Sequence, residues 1–185
     1  VDICSENGII FIGPSSDNIR LMGDKNQARE TCRSLGIPLV PGSNGMVTSE
    51  AMAKSEAARI GYPLLIKAAA GGGGKGMRVV ESEDELIPAY DMTTSEAKAA
   101  FGSGAVYFEK LIQKPRHVEI QILSDRTGHA IHIGERDCSI QRRHQKLIEE
   151  SPCPVLSDAV RKQMTDAAIK IAQSIQYEGA GTVEF

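Results

Sequence analysis

Leu64-Leu65-Ile66-Lys67-Ala68-Ala69-Ala70-Gly71-Gly72-Gly73-Gly74-Lys75-Gly76-Met77-Arg78-Val79-Val80 is the stretch on which the fold turns. Tyr62 to Ala69 is short and largely apolar and reads as a strand, and Met77 to Val80 reads as a second one. Between them, consecutive glycines leave backbone N–H groups uncovered, and such groups can surround phosphate oxygens as a nest. The run matches G-x-G-x-x-G, but a dinucleotide-binding loop opens a helix, and here a strand follows. A Walker A loop fails too, because Ala69 stands where its first glycine belongs and Gly76 replaces the Ser or Thr after Lys75. Strand, glycine loop, strand points instead to a hairpin flap that closes over phosphates. The plain alternative is a flexible surface turn, but each glycine costs roughly 0.5–1 kcal/mol relative to alanine, with nothing to offset it there.

Lys67 lies near the end of the entering strand. A lysine in Leu64-Leu65-Ile66-Lys67-Ala68 is not buried without a negative partner. It either reaches water from a strand edge or faces phosphates, and its place beside the glycines favours the second. Upstream, a helix is predicted from about Ser49 to Ile60, stopped by Gly61 with Pro63 beyond. Before it, Asp24 can cap a helix with Gln27 three residues on. Ala28, Cys32 and Leu35 follow at helical spacing, and Gly36 supplies the stop. Gly8 to Gly13 is an apolar run bounded by glycine, predicted as a buried strand feeding the turn at Pro14-Ser15-Ser16.

Downstream, Ser82-Glu83-Asp84-Glu85 has the capping-box form and opens a helix to about Ala100. Val106 to Ile112 is a strand. His117 to Leu123 alternates, with Val118, Ile120 and Ile122 on one face and His117, Glu119 and Gln121 on the other. Asp125 to Gly128 turns it into Ala130 to Glu135, which predicts a hairpin. A last helix starts near Ser157 with the stripe Val160, Met164, Ala168, Ile171 and Ile175, and Gly179 lies past its end.

The run from Glu135 to Lys146 is dense in polar groups. It could be a solvated loop. Gln141, Arg142, Arg143, His144 and Lys146 could equally hold an anion such as phosphate or bicarbonate. Glu135, Asp137, Glu149 and Glu150 on both sides argue against a nucleic-acid patch. Glu184 stands on a short strand with Val183 and Phe185 facing the other way, and a carboxylate raised toward a phosphate site is a natural Mg²⁺ ligand. His129 and His132 lack zinc spacing and a partner cysteine.

Composition sets the outer bounds. The 185 residues are 41% hydrophobic and 24% charged, with a net charge of −3, which suits a soluble globular chain and gives no bulk attraction to nucleic acid or anionic membrane. Aromatics are 4% and Trp is missing, so base-stacking platforms are scarce. No apolar run nears the ~18 residues needed to cross a bilayer. Cys4, Cys32, Cys138 and Cys153 form no C-x-x-C pair and read as reduced intracellular thiols.

Taken together, the segments closely resemble the biotin carboxylase component of biotin-dependent carboxylases, a branch of the ATP-grasp superfamily. The resemblance rests on Phe11-Ile12-Gly13-Pro14-Ser15, Leu21 to Lys25, Ile66 to Met77, Phe108 to Ile112, Pro115 to Gln121, Glu135 to Ser139 with Gln141 to Lys146, and Gly179 to Phe185. It implies an α+β chain with part of an ATP-grasp fold. Residues 1–24 would end an N-terminal α/β lobe, 25–61 would be a helical connection, 62–110 a glycine-flap subdomain, and 111–185 the first part of a larger antiparallel-sheet lobe. It also implies roles. Lys25 and Lys67 would contact ATP phosphates, and Gly73 and Gly74 would lie in the flap. Met77 would pack near the adenine, and Glu109, Lys110, Leu111 and Ile112 would border it. His117 and His144 would contact the nucleotide, with Gln141 close by, and Lys146 would hold bicarbonate. Lys146, Gln141 and His117 are thus the expected catalytic set, and Glu184 the metal carboxylate.

The implied cofactors are ATP, Mg²⁺ or Mn²⁺, and carrier-bound biotin. The implied chemistry is attack of bicarbonate on the γ-phosphate, giving carboxyphosphate and ADP, followed by carboxylation of biotin. Implied partners are a biotin carrier protein or domain, a carboxyltransferase component and further copies of the parent, with no nucleic acid and no membrane. The setting would be cytoplasmic, or the mitochondrial matrix in a eukaryote. The chain opens at Val1-Asp2 rather than Met and stops at Thr182-Val183-Glu184-Phe185, so a segment of a longer enzyme is expected, inactive alone. Another ATP-grasp carboxylate–amine ligase, or a nucleotide-binding module without turnover, are the competing readings.

Overall fold

The two short apolar segments flanking the glycine run pair with each other, as a hairpin flap requires. The computed structural model describes residues 1–69, 76–143 and 145–185, without the side chains of 25 and 26. In chain order the elements are α1 (Asp2–Glu6), α2 (Ser16–Gly23), α3 (Lys25–Ser34), α4 (Glu50–Ile60), β1 (Leu64–Ala68), β2 (Met77–Val80), α5 (Glu83–Phe101), β3 (Val106–Lys110), β4 (Val118–Ser124), β5 (Ala130–Arg142), β6 (Gln145–Glu150), α6 (Asp158–Ser174) and β7 (Gly179–Glu184). This is the expected α+β mixture. One unit comprises Leu39–Lys114, and the other Val1–Pro38 with Pro115–Phe185.

The smaller unit carries an antiparallel sheet in the order β2-β1-β3. Leu64, Ile66 and Ala68 of β1 are buried, while Leu65 and Lys67 alternate toward the other face. Leu64 and Ile66 pack with Ala57 and Ile60 of α4, Leu86 and Tyr90 of α5, and Val106 and Phe108 of β3. The local signals at the helix ends work as chemistry dictates. Ser49 caps α4 by accepting the Met52 N–H, and Gly61 ends it at φ 79°. At α5 the predicted capping box is not made. The Ser82 side chain makes no capping bond, and Glu85 accepts instead from the Glu81 N–H at 2.9 Å. The hairpin closes at Gly76, φ 71°, where an added Cβ would sit 2.9 Å from the Ala68 Cβ. The outer edge of β3 is covered by an extended segment that no local pattern predicts. There the Ser43 N–H donates to Phe108 O and the Val47 N–H to Val106 O, each at 2.8 Å.

The larger unit carries an antiparallel sheet in the order β6-β5-β4-β7. The β4–β5 hairpin turns on the Asp125 carboxylate, which accepts the Thr127 N–H at 2.8 Å and the His129 N–H at 3.0 Å. Ile120 and Ile122 face Ala168 and Ala172 of α6, with Met164 and Val183 against them. Ser157 caps α6 through the Val160 N–H. Val160, expected in the buried stripe, is 42% exposed. It lies about 80° round the helix from Ala168 at ~100° per residue, at the margin of a face completed by Thr165 and Ala172. Asp24 caps α3 as expected, accepting the Gln27 N–H at 3.1 Å.

A predicted strand fails as well. Gly8–Gly13 is not a strand: Ile12 is 96% exposed and Ile9 and Ile10 stand in solvent. A strand needs a neighbour for its backbone groups, and among the described residues none pairs with this run.

Candidate functional site

Alternation along β4 raises Glu119 and Gln121 from one face of the larger sheet, with His117 just before the strand. Register places Glu184 of β7 beside Glu119, and Arg136 of β5 on its other side. β6, which was not predicted, sets Lys146 opposite Gln141. The turn into β6 escapes sequence reading because Arg143, not a glycine or asparagine, takes the left-handed conformation there, φ 52°.

The result is one network around Glu119, whose side chain is 4% exposed. Arg136 donates to one of its oxygens, from Nε at 2.8 Å and also from Nη2. Lys146 Nζ donates to the other oxygen and, at 2.9 Å, to Glu184 Oε1. Arg136 Nη1 reaches Gln121 Oε1 at 2.9 Å, and Gln121 Nε2 donates to Gly181 O at 2.9 Å, which ties β4 to β7. His117 Nδ1 lies 2.8 Å from Gln141 Nε2, and that same nitrogen donates to Cys138 O at 2.8 Å. An amide nitrogen bonded to a carbonyl is the NH₂, so Nδ1 accepts and a neutral His117 carries its proton on Nε2. His117 Nε2 is buried and makes no hydrogen bond, though Glu184 Oε1 is 3.2 Å away.

The electrostatics follow from this packing. Burial alone would raise the Glu119 carboxyl, but the bonds from Lys146 and Arg136 outweigh it and hold the group below its ordinary value. The hydrogen bond to Glu119, against the effect of burial and with help from Glu184, holds the Lys146 ammonium well above the usual lysine value. Burial pushes the Cys138 thiol up, so it is not primed as a nucleophile.

Two acids in the same polar run are structural. Glu135 accepts from Arg161 Nε of α6 at 2.7 Å. Asp137 accepts from Arg116 Nη1 at 2.6 Å, from the Ser139 N–H at 3.0 Å and from the Cys153 thiol. The Ser139 bonds, against burial and with Arg116, lower Asp137. Burial works against Arg161 at Glu135, and Arg161 prevails. With folded values below the unfolded ones, these acids and Glu119 stabilise above the ordinary carboxylate value, about 4, and that contribution is lost as pH falls through the folded values. The urea midpoint of the larger unit is therefore expected to hold between about pH 7 and 5 and to fall below about pH 4. A midpoint unchanged down to about pH 3 would contradict this.

In the smaller unit, Lys67 pairs with Glu109, a diagonal neighbour on the adjacent strand, since Leu65 lies opposite Glu109 and Tyr107 opposite Lys67. This supplies the negative partner that a half-buried lysine requires. Met77 sits opposite Lys67 on β2 and is partly exposed. Along the expected adenine border, Lys110 N–H donates to Pro41 O at 2.7 Å and Leu111 N–H to Pro63 O at 3.1 Å. Lys110 Nζ donates to Tyr62 O at 2.7 Å. Ile112 is exposed. Gly73, Gly74 and His144, and the side chain of Lys25, lie outside the described residues.

His117, Glu119 and Glu184 each offer one ligand atom, all within 4.8 Å of one another. The two carboxylates supply the hard oxygens that Mg²⁺ or Mn²⁺ takes, whereas His117 Nε2 would have to give up its proton to serve as a ligand. Glu119 and Arg136 were missed as site residues. The signal available was Glu119's place between His117 and Gln121 on the polar face of an alternating strand.

The chain is similar to proteins of known chemistry. Residues 24–185 match the family described as carbamoyl-phosphate synthase L chain, ATP binding domain. Over 185 residues the chain is 55% identical to Biotin carboxylase 2, chloroplastic, of Populus trichocarpa, covering 100% of this chain and 35% of that protein. The crystal structure of a biotin carboxylase–beta-gamma-ATP complex from Campylobacter jejuni matches with a TM-score of 0.92 and 54% identity, over 100% of this chain and 42% of that one. The biotin carboxylase domain dimer of Hydrogenobacter thermophilus 2-oxoglutarate carboxylase, in complex with ADP, its magnesium salt and bicarbonate, matches with a TM-score of 0.90 and 47% identity, over 100% of this chain and 41% of that one. The chain thus spans about two fifths of the length of these relatives, and its fold is part of theirs.

Proposed function

The chain belongs to the family of the carbamoyl-phosphate synthase L chain ATP-binding domain, and from that premise we propose that it is the nucleotide-binding part of a biotin carboxylase. The whole enzyme would use ATP and bicarbonate to carboxylate biotin on a carrier protein or domain. One observation carries the reading. In a chain 55% identical to such an enzyme, His117, Gln141, Lys146 and Glu184 gather on one sheet face around buried Glu119.

The residues divide the work. Lys67, held ready by Glu109, exchanges that partner for a phosphate oxygen, with Lys25, Gly73, Gly74 and His144 completing the phosphate and nucleotide contacts. Met77 and the segment Glu109 to Ile112 border the adenine. Lys146, kept protonated by Glu119, holds bicarbonate by charge, and His117 and Gln141 orient the reacting groups. A bicarbonate oxygen attacks the γ-phosphorus, giving carboxyphosphate and ADP; the C–O bond to phosphate then breaks, phosphate leaves, and the carboxyl carbon bonds to the biotin ureido nitrogen as its proton is lost. Mg²⁺ or Mn²⁺, when bound, offsets charge on the moving phosphoryl group, and Glu184 would hold it. The partners would be the biotin carrier, a carboxyltransferase component and further copies of the parent. All four cysteines are unpaired, and among the described residues no helix is long and apolar enough to cross a membrane. The free thiols support a reducing interior, the cytoplasm or an organelle matrix.

Phosphate release by the full-length parent is expected to depend on bicarbonate and to rise with biotin but not with other acceptors. Release indifferent to both compounds would overturn the reading. The 185-residue chain alone is expected to give no turnover in the same assay, and robust turnover would refute that part.

A further inference from the structure

Lys146 occupies the place that a divalent cation would take. Its ammonium touches two carboxylates, Glu119 and Glu184, which with His117 make up the donor set. The two acids are not equally dependent on it. Glu119 is buried and has a second cation, Arg136, on its other oxygen. Glu184 is 57% exposed, and among the described residues no other lysine or arginine reaches it. Lys146 stands on β6, one edge of the sheet, and Glu184 on β7, the other edge, so the side chain reaches across the face. Lysine has an unbranched stem with four rotatable bonds, and it can leave by a rotamer change with the strands in place.

We propose that Lys146 is a built-in counter-cation for Glu184, so that a divalent ion and the Lys146 ammonium compete for that carboxylate and entry of one expels the other. The proposal rests on the reading of Glu184 as the metal carboxylate. The charges present, Glu119, Glu184, Glu149, Lys146 and Arg136, sum to −1, so the ammonium in place halves the negative charge that an incoming ion meets. With the ammonium withdrawn, a net negative charge receives the ion, and the freed Lys146 is left to bind an anion. Metal and bicarbonate should then each strengthen the other's binding by the same factor, as linkage requires.

The test is Mn²⁺ binding to the 185-residue chain, followed by the electron paramagnetic resonance signal of free Mn²⁺. Lys146→Met is expected to bind Mn²⁺ about ten-fold more tightly than the unmodified chain, the size of losing one half-exposed ion pair and one repelling charge. Lys146→Arg, which keeps a cation, is expected to stay within about three-fold. Glu184→Gln should weaken binding both in the otherwise unmodified chain and when combined with Lys146→Met. If Glu184→Gln weakens binding but Lys146→Met does not strengthen it, competition is refuted and the metal reading stands. If Glu184→Gln changes nothing, the metal reading itself fails, and the proposal with it. Should Lys146→Met not fold, Mg²⁺ titration of the unmodified chain decides. The Lys146 amino resonance, slowed in exchange by its two carboxylates, is expected to vanish or shift as the ion saturates, and an unmoved resonance overturns the proposal.

Discussion

Replacing Glu119 with alanine is expected to destabilise the larger unit by roughly 3–5 kcal/mol, the range for breaking a buried ion pair by removing one partner. The reason is the asymmetry of such groups. Attraction within the network and the cost of burying it nearly offset each other, but a cation left without its carboxylate bears the cost alone. Removing Glu119 strips the buried partner from both Arg136 and Lys146. Gln121 and Glu149 still touch Arg136, which favours the lower end of the range. Glu119→Gln keeps the shape and one acceptor, so about 1–3 kcal/mol is expected. Glu184→Ala, on a carboxylate 57% exposed, should cost about 1 kcal/mol or less. Urea midpoints, with amide hydrogen exchange in β4 and β5, measure all three. Equal losses for Glu119→Ala and Glu184→Ala would mean that Glu119 is not the hub of the network.

Phe108→Ala should cost the smaller unit a similar amount, about 3–5 kcal/mol. The side chain is 0% exposed, and the Tyr90 ring meets it edge-on with centroids 6.4 Å apart. Truncation loses the transfer energy of the ring, leaves a cavity and removes an aromatic pair worth about 0.5–1.5 kcal/mol. The neighbours cannot collapse freely into the space. The N–H of Phe108 donates to Ser43 Oγ at 3.0 Å, its carbonyl accepts from the Ser43 N–H, and β1 pins its other edge. Hydrogen exchange in β1, β3 and α5 should quicken by the factor matching the midpoint shift. A loss below about 1 kcal/mol would show that the site repacks. Since Lys67 and Glu109 stand on the same sheet, the proposed nucleotide contacts should weaken with it.

Much of this protein was legible because its signals are local. Ser49, Ser157 and Asp24 cap helices wherever the chain places them, since the bond each makes is to an N–H three residues on. Gly61 and Gly76 stand where the backbone takes positive φ, which glycine adopts without strain. Strict alternation decided which side of β4 would be buried, and with it that Glu119 shares a face with Gln121. The polar run after β4 marked residues that gather near Glu119, and the glycine run marked a hairpin. What neither spacing nor composition could settle was partnership between distant segments. Lys67 needed an acid, but only the β1–β3 register made it Glu109. Gly8–Gly13 has the composition of a strand but, among the described residues, no neighbour to complete it. Glu119 looked like one polar residue among several until β5, β6 and β7 brought Arg136, Lys146 and Glu184 to its oxygens. A cap is satisfied within one turn of chain, whereas a buried charge is satisfied only by groups that folding delivers from elsewhere, and so its role exists in the tertiary structure alone.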